Sequence, residues 1–596
     1  MKDYHKFHIP VMGTAFTAET PLRVAQFGIN SVVSIVDDVL LERLRKVYCE
    51  SNGYIYDEIT NENINHRADR ITSYLNLINK LTTKKFEEFI NSTKEKFEDI
   101  KKYFSLLPNS SEIKKEFYKI IDENFSFDEL KEFLKENLSI GSIDVNIMTK
   151  VDKQNFYKKE ALSVEYNDAH AALRGYAESD LESSIIFSAG MNPRLYGYIA
   201  NFKDFFPDVN GKIKKKIVLK VSDYRSAIIQ GKFLAKKGLW VSEYRIESGL
   251  NCGGHAFATD GLLMGPILNE FRENRQTLID DTFEILIDSL KKSQRTVPNQ
   301  KLNIKITAQG GVGTSDEQNF LINYYNLDSV GWGTPFLLVP EVTTVDAVTR
   351  EKLLNAKEED LYLSKVSPLG VPFNNLKNNT KDIERDNKIE EGKPGSSCPR
   401  RFLALSQEYD EQGICTASRK FQKIKIKESS EDQSISLNNI FEKTCLCVGL
   451  AAPAIINNNI NAKDSKAVSI CPGPNLAYFS NEMSLQEISQ HIYGIKESSV
   501  RKDRPHFFVK ELELYVKYLK EKIDESTTDF TKKQEKYFHK FLNNMNEGID
   551  YYNNLFKEMK SNFSSGADKI IESIKKQKFK LDQISKKIDQ IKKELA

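Results

Sequence analysis

The chain has 596 residues, too many for one ordinary domain, although a (β/α)8 barrel by itself takes up about 250. It is 40% hydrophobic, 29% charged and 10% aromatic, which excludes large-scale disorder and supplies enough apolar matter for a real core. A net charge of +2 excludes global steering toward nucleic acid or membrane, and the longest nearly apolar run, Cys447 to Ile456, is shorter than the ~18–20 residues of a spanning helix.

Met1 to His8 contains no apolar secretory stretch, so a cytoplasmic protein is expected. Eight short β-rich runs bounded by Gly, Asn, Asp or Ser follow: Ile9–Gly13, Ser31–Val36, Ser142–Ile147, Ser184–Ser188, Lys216–Val221, Leu239–Arg245, Asn303–Thr307 and Ser329–Gly333. Most are nearly continuous apolar runs, as strands buried on both faces should be. Helical patterns such as 223–237 and 262–292 separate them. Alternating βα units of this number predict an α/β fold, a (β/α)8 TIM barrel built from residues 1–40 and 140–345.

Residues 41–139 read as a helical insertion after the second strand. Phe86, Phe89/Ile90, Thr93, Phe97, Ile100 and Phe104 recur at three- and four-residue steps, the stripe of a packing or lid subdomain. Residues 346–504 read as irregular and Cys-containing, and 505–596 as helical. In the last stretch Ala567, Ile570, Ile574, Gln577, Leu581, Ile584, Ile588, Ile591 and Leu595 keep a 3-4 spacing. That is a coiled-coil seam, with self-association as one use of it and RNA contact through its basic outer face as another.

Chemistry in such a barrel belongs to the C-terminal ends of the strands. The seventh run is followed by Gln309-Gly310-Gly311-Val312-Gly313 ahead of a helix starting near Ser315, and the eighth ends in Gly331-Trp332-Gly333-Thr334. Glycines there let backbone N–H groups cradle a phosphate, with the helix N-terminus adding favourable partial charge. The sixth run leads into Glu247 to His255, in which His255 follows the Gly253-Gly254 turn. An imidazole at that place is a candidate proton carrier, a structural histidine being the plainer reading. Cys252 lacks an identifiable basic partner and reads as an inert thiol.

These strand ends resemble those of the nitronate monooxygenase (2-nitropropane dioxygenase) family, FMN-binding barrels related to flavin-dependent enoyl-thioester reductases and to barrels of the IMP dehydrogenase type. The resemblance covers about 245 residues and rests on Pro10-Val-Met-Gly13, Asp144-Val-Asn146-Ile147, Ser248 to His255, Gln309-Gly-Gly-Val312 and Gly333-Thr-Pro-Phe336. It implies an FMN-dependent oxidoreductase with a small-molecule substrate and an electron donor or acceptor. Met12, Gly13, Asn146 and Gly254 would lie at the flavin ring, Gly310, Gly311, Gly333 and Thr334 at its phosphate, and His255 would move the proton. The chain departs from the family at Gly331, where a Gln is usual, and in the extra Leu250-Asn251-Cys252. A flavin-dependent reductase of an enoyl thioester or of an RNA nucleobase, and a non-enzymatic scaffold on a degenerate barrel, are the alternative readings.

Five of the seven cysteines, Cys398, Cys415, Cys445, Cys447 and Cys471, fall in one window. Cys-x-Cys brings two thiols together, and Cys398 and Cys471 each precede a proline, as at many iron–sulfur ligands. Four of the five are therefore expected to ligate a [4Fe-4S] cluster, with zinc as the alternative metal and inert thiols as the plainer reading.

Overall fold

The computed structural model describes residues 4–123, 125–431, 437–496, 500–526, 530–559 and 566–595. Eight parallel strands form the centre: β1 (Phe7–His8), β2 (Ser31–Ser34), β3 (Ile143–Ile147), β4 (Ser184–Phe187), β5 (Lys216–Val221), β6 (Val241–Glu247), β7 (Lys305–Gln309) and β8 (Ser329–Gly331). Each pairs with its successor from β2 to β8, and β8 pairs with β1. A parallel bridge from Ile9 to Ser31 closes the circle. The result is an α/β barrel, as the alternation of apolar runs and helical patterns predicts.

The first strand differs most; the sixth and seventh, read as Leu239–Arg245 and Asn303–Thr307, each lie two residues later, at Val241–Glu247 and Lys305–Gln309. The first strand precedes the predicted Ile9–Gly13, because Phe7 and His8 pair with Val330 and Gly331, whereas Pro10 to Gly13 turn over the barrel mouth. A proline and a glycine with φ +53° suit a turn better than a ladder. Above the strands Val11 packs on Val32, Ile186 and Val218, which point inward from β2, β4 and β5.

The insertion after β2 comprises five helices, Asp38–Ser51, His66–Asn91, Phe97–Ser105, Glu112–Asp122 and Phe127–Asn137. Its predicted stripe is largely buried, with Ile100 and Phe104 fully enclosed and Phe104 stacked on Phe117. Arg67 and Arg70 on the longest helix both reach the buried carboxylate of Asp38, clamping the insertion to the end of β2.

Residues 346–504 are more ordered than their Asn- and Pro-rich composition predicts. They contain a hairpin of β9 (Leu361–Ser364) and β10 (Phe373–Leu376) and the helices Thr380–Glu390, Arg419–Glu431, Leu446–Asn457 and Leu485–Ile492. Side-chain caps at Asn379 and Ser484 start two of these helices, the latter as a capping box with Glu487. Among the described residues one stretch, Leu437–Asn457, is long and apolar enough to cross a membrane, with mean hydropathy 1.4; 56% of it is buried inside the protein, and it is divided into two helices.

The helices Phe507–Glu525, Lys532–Glu558 and Ala567–Leu595 form a bundle. The predicted coiled-coil seam is consumed within the chain: Ile574, Leu581 and Ile588 are buried against the two preceding helices, and Gln577 donates to Glu513 at 3.3 Å. Lys587 and Lys592 on the basic face pair with Asp524 and Glu535. A 3-4 spacing marks an apolar face without specifying whose apolar face meets it, and here the two preceding helices of the same chain meet it.

Candidate functional site at the barrel mouth

At the C-terminal mouth, Val11 to Thr14, Met148, Ser188 to Asn192, Cys252, Gly254, His255, Gly311, Gly333 and Thr334 are half-buried, while the strand bodies below them are enclosed. The turn after β1 and the turn after β8 lie side by side. A Cβ at Gly333 would stand 3.3 Å from Pro10 Cγ and 3.7 Å from Met12 Sδ. Asn146 points inward from β3, and its Oδ1 is buried without a partner.

Three polar residues at the strand ends were not among the predicted site residues. Lys220 of β5 pairs with Glu247 of β6 at 3.1 Å, and Gln309 of β7 donates through Nε2 to the other Glu247 oxygen at 2.6 Å. The signal for them was available in the alternation of β6, where Glu243, Arg245 and Glu247 take one parity and the enclosed Tyr244 and Ile246 the other.

The two glycine-bearing ends divide their work. Gly310 and Gly311 have φ of +137° and +76°, conformations that exclude most side chains. Their missing Cβ atoms make room for the protein itself: Ser248 and Cys252 press on Gly310, the Asn251 carboxamide fills the space over Gly311, and the Arg504 guanidinium lies on Gly313. Their backbone donors are a separate matter. Among the described residues the N–H groups of Gly311, Val312, Gly333 and Thr334 donate to no partner in the chain. The helix Ser315–Tyr324 begins beside them, capped by Thr314 and by Glu317, which accepts from Gly313 N–H at 2.9 Å. Unpaired backbone donors thus lie after both β7 and β8, the kind of group that binds an anion.

A cap from the later chain borders this cluster. Cys471 to Tyr478 is buried, with Gly254 N–H donating to the Cys471 carbonyl and Asn475 Nδ2 to the Val312 carbonyl. Arg504 ties the cap down through Asn475 Oδ1, the Gly311 carbonyl and a 2.7 Å ion pair with Glu317. Although burial opposes ionisation, Arg504 holds the Glu317 carboxyl below the usual carboxylate range.

His255 lies where its sequence position predicts, after the Gly253-Gly254 turn, but it is anchored on the β9–β10 hairpin. It bridges Phe373 of β10, and its Nε2 is 2.7 Å from Ser367 Oγ. Burial lowers its pKa to about 4, so the imidazole is neutral at pH 7.

Of the five clustered cysteines, Cys471 is set apart from the other four. Cys471 sits at the mouth, its sulfur facing the N–H groups of Gly13 and Gly254, and burial pushes its thiol up to about 12. Cys398 packs on Cys415 elsewhere, with Cys447 on the same small cluster and Cys445 beside Cys447. Among the described residues no group of three or more His, Cys, Asp or Glu side chains is disposed to hold a metal ion. The expected four-cysteine metal site finds no support: Cys471, carried to the mouth by the cap, is the one set apart, and the four remaining thiols lie near one another without forming a group disposed to hold a metal.

Fold and site together define a (β/α)8 barrel whose C-terminal mouth carries unpaired backbone donors, a charged pair on its floor and a cap from the later chain. No family model and no curated protein matches the chain. Solved structures similar to it include FabK from Thermotoga maritima (14% identity, 63% of this chain and 82% of that one, TM-score 0.30). Others are the enoyl reductase domain of MlnA from Bacillus amyloliquefaciens (14%, 62% and 86%, TM-score 0.32) and a nitroalkane oxidase from Streptomyces ansochromogenes (10%, 62% and 84%, TM-score 0.29).

Proposed function

We propose that the chain is an FMN-dependent oxidoreductase of the nitronate monooxygenase type, acting on a small molecule at the barrel mouth. The observation that carries this reading is the set of unpaired N–H groups at Gly311, Val312, Gly333 and Thr334, beside the half-buried Met12 and Gly13. Four open donors next to a helix N-terminus fit a phosphate, and the unpartnered Oδ1 of Asn146 fits the polar edge of a ring system.

FMN would supply hydride and single-electron chemistry when bound. The chain's own residues do the rest. The backbone donors after β7 and β8 would hold the phosphate, while Asn146 and Gly254 would border the ring. The Lys220–Glu247 pair puts a fixed dipole, oriented by Gln309, on the floor. His255 is neutral and fixed at Nε2 by Ser367, which leaves Nδ1 to exchange a proton with the substrate. The cap from Cys471 to Tyr478 limits water at the site.

The visible spectrum of the purified full-length protein tests the reading. Flavin bands near roughly 370 and 450 nm are expected, as is their loss in Gly333→Asp, which sets a carboxylate among the phosphate donors. A colourless protein that takes up no added FMN overturns it. Nitronates and enoyl thioesters are the substrate classes to screen, and His255→Asn is expected to lower turnover of whichever reacts by about 10²–10⁴-fold without loss of flavin.

A further inference from the structure

Cys398 and Cys415 lie on two loops that are tied together before their thiols meet. Ser396 N–H donates to the Ala417 carbonyl at 3.0 Å, Arg419 N–H returns a bond to the Ser396 carbonyl at 2.8 Å, and Arg401 donates to the Gly413 carbonyl at 3.1 Å. Between the loops Cys398 packs against a small apolar cluster formed by Leu403, Ala404, Cys415 and Ala417.

The turn that presents Cys398 is strained. Cys398 and Arg401 have φ of +54° and +56°, values that non-glycine residues adopt at a cost of about 1–3 kcal/mol unless the surroundings impose them. Here they are imposed by Arg400, buried between Asp37 at 3.2 Å and Asp464 at 2.9 Å. Asp37 follows β2, so the turn is bolted to the barrel rim. The two thiols differ in access. Cys398 is half-buried, whereas Cys415 is 4% exposed and stands behind it. Cys447, the nearest third thiol, is instead engaged by the Leu403 N–H.

We propose that Cys398 and Cys415 are a reversible dithiol–disulfide pair that exchanges electrons with small disulfides. The Cys398 sulfur attacks one sulfur of the small disulfide, forming a mixed disulfide and expelling the first small thiolate. The Cys415 sulfur then attacks Cys398 Sγ, closing the protein disulfide and releasing the second. The protein thiols lose two electrons, the small disulfide gains them, and the two thiol protons end on the two released thiols. The closed ring spans 16 intervening residues and would lock the strained turn to the loop behind it. This pair is independent of FMN binding.

The test uses the full-length protein, titrated with mixtures of oxidised and reduced glutathione, alkylated, digested and mapped by mass spectrometry. A single cross-linked Cys398–Cys415 peptide that reverts on adding reduced glutathione is expected, and Cys415→Ser should instead trap glutathione on Cys398. Thiols that all stay free in excess oxidised glutathione overturn the proposal, and so does pairing of Cys398 with Cys445 or Cys447. A stoichiometric metal in the purified protein that is lost in Cys398→Ser also overturns it.

Discussion

Ser248 Oγ, one residue past the end of β6, is 2.6 Å from Glu511 Oε1 on the first helix of the C-terminal bundle. The other carboxyl oxygen accepts from Met264 N–H at 2.9 Å and from Tyr552 OH at 3.2 Å. One buried carboxyl therefore joins a barrel strand, the long helix after it and two bundle helices.

Burial raises Glu511 to about 7, above its ordinary value of 4.5. A folded-state pKa above the unfolded one means that protonation favours the fold. The contribution is whole below pH 4.5 and is lost as pH rises through 7, on the order of 3 kcal/mol in all. Glu511→Gln keeps a neutral acceptor for the Ser248 hydroxyl, so its stability is expected to vary less than the parent's between pH 5 and 8. Urea unfolding at several pH values measures this, and parallel curves for the two proteins contradict it.

His255 runs the opposite way. Its pKa of about 4 lies below the ordinary 6.5, so its contribution is present above pH 6.5 and disappears as pH falls toward 4. The imidazole resonances of a histidine-labelled sample are expected to show His255 still neutral at pH 5.5, alongside His8 and His506, which burial also holds low, and His255→Asn should remove one of these signals.

Arg504 and Glu317 form a buried pair, each about 5% exposed, with the guanidinium also holding the cap. Arg504→Ala leaves a buried carboxylate facing only N–H groups, and a loss of about 3–5 kcal/mol is expected. Limited proteolysis should then cut first within 471–504, the segment Arg504 restrains. Cuts confined to the bundle would show that the cap is held by other contacts.

Gly311→Ala separates packing from phosphate binding. The new methyl would meet the Asn251 carboxamide at φ +76°, so about 2–4 kcal/mol of destabilisation is expected with or without FMN. Denaturant midpoints with and without added FMN report it. A variant as stable as the parent would mean that Asn251 moves aside freely.

Leu581→Ala opens a cavity in the seam of the last helix, where Leu581 is 1% exposed, and should cost about 2–5 kcal/mol. Because that seam is met by the chain's own helices, the oligomeric state seen by light scattering is expected to stay the same at concentrations where the variant remains folded.

The barrel was legible because strands buried on both faces write themselves as apolar runs, and eight such runs with helices between them leave few topologies. The places of Gly311, Gly333 and His255 at strand ends followed from the same count. What those residues touch did not. Asn251 belongs to three residues that read only as a local insertion, yet its carboxamide fills the space that makes Gly311 necessary. Lys220 and Glu247 are far apart in the sequence and become a pair only when β5 and β6 are neighbours.

Periodicity and strand-end chemistry by themselves thus determined the α/β barrel, its helical insertion and the face where chemistry belongs, since these depend on local spacing and burial. Only the tertiary structure decided that the last helix closes on its own chain, that Cys471 parts from the other cysteines, and that Glu511 and Arg504 reach back to the mouth. Those are contacts between residues from 64 to 263 positions apart, and nothing in the local pattern of either partner encodes the other.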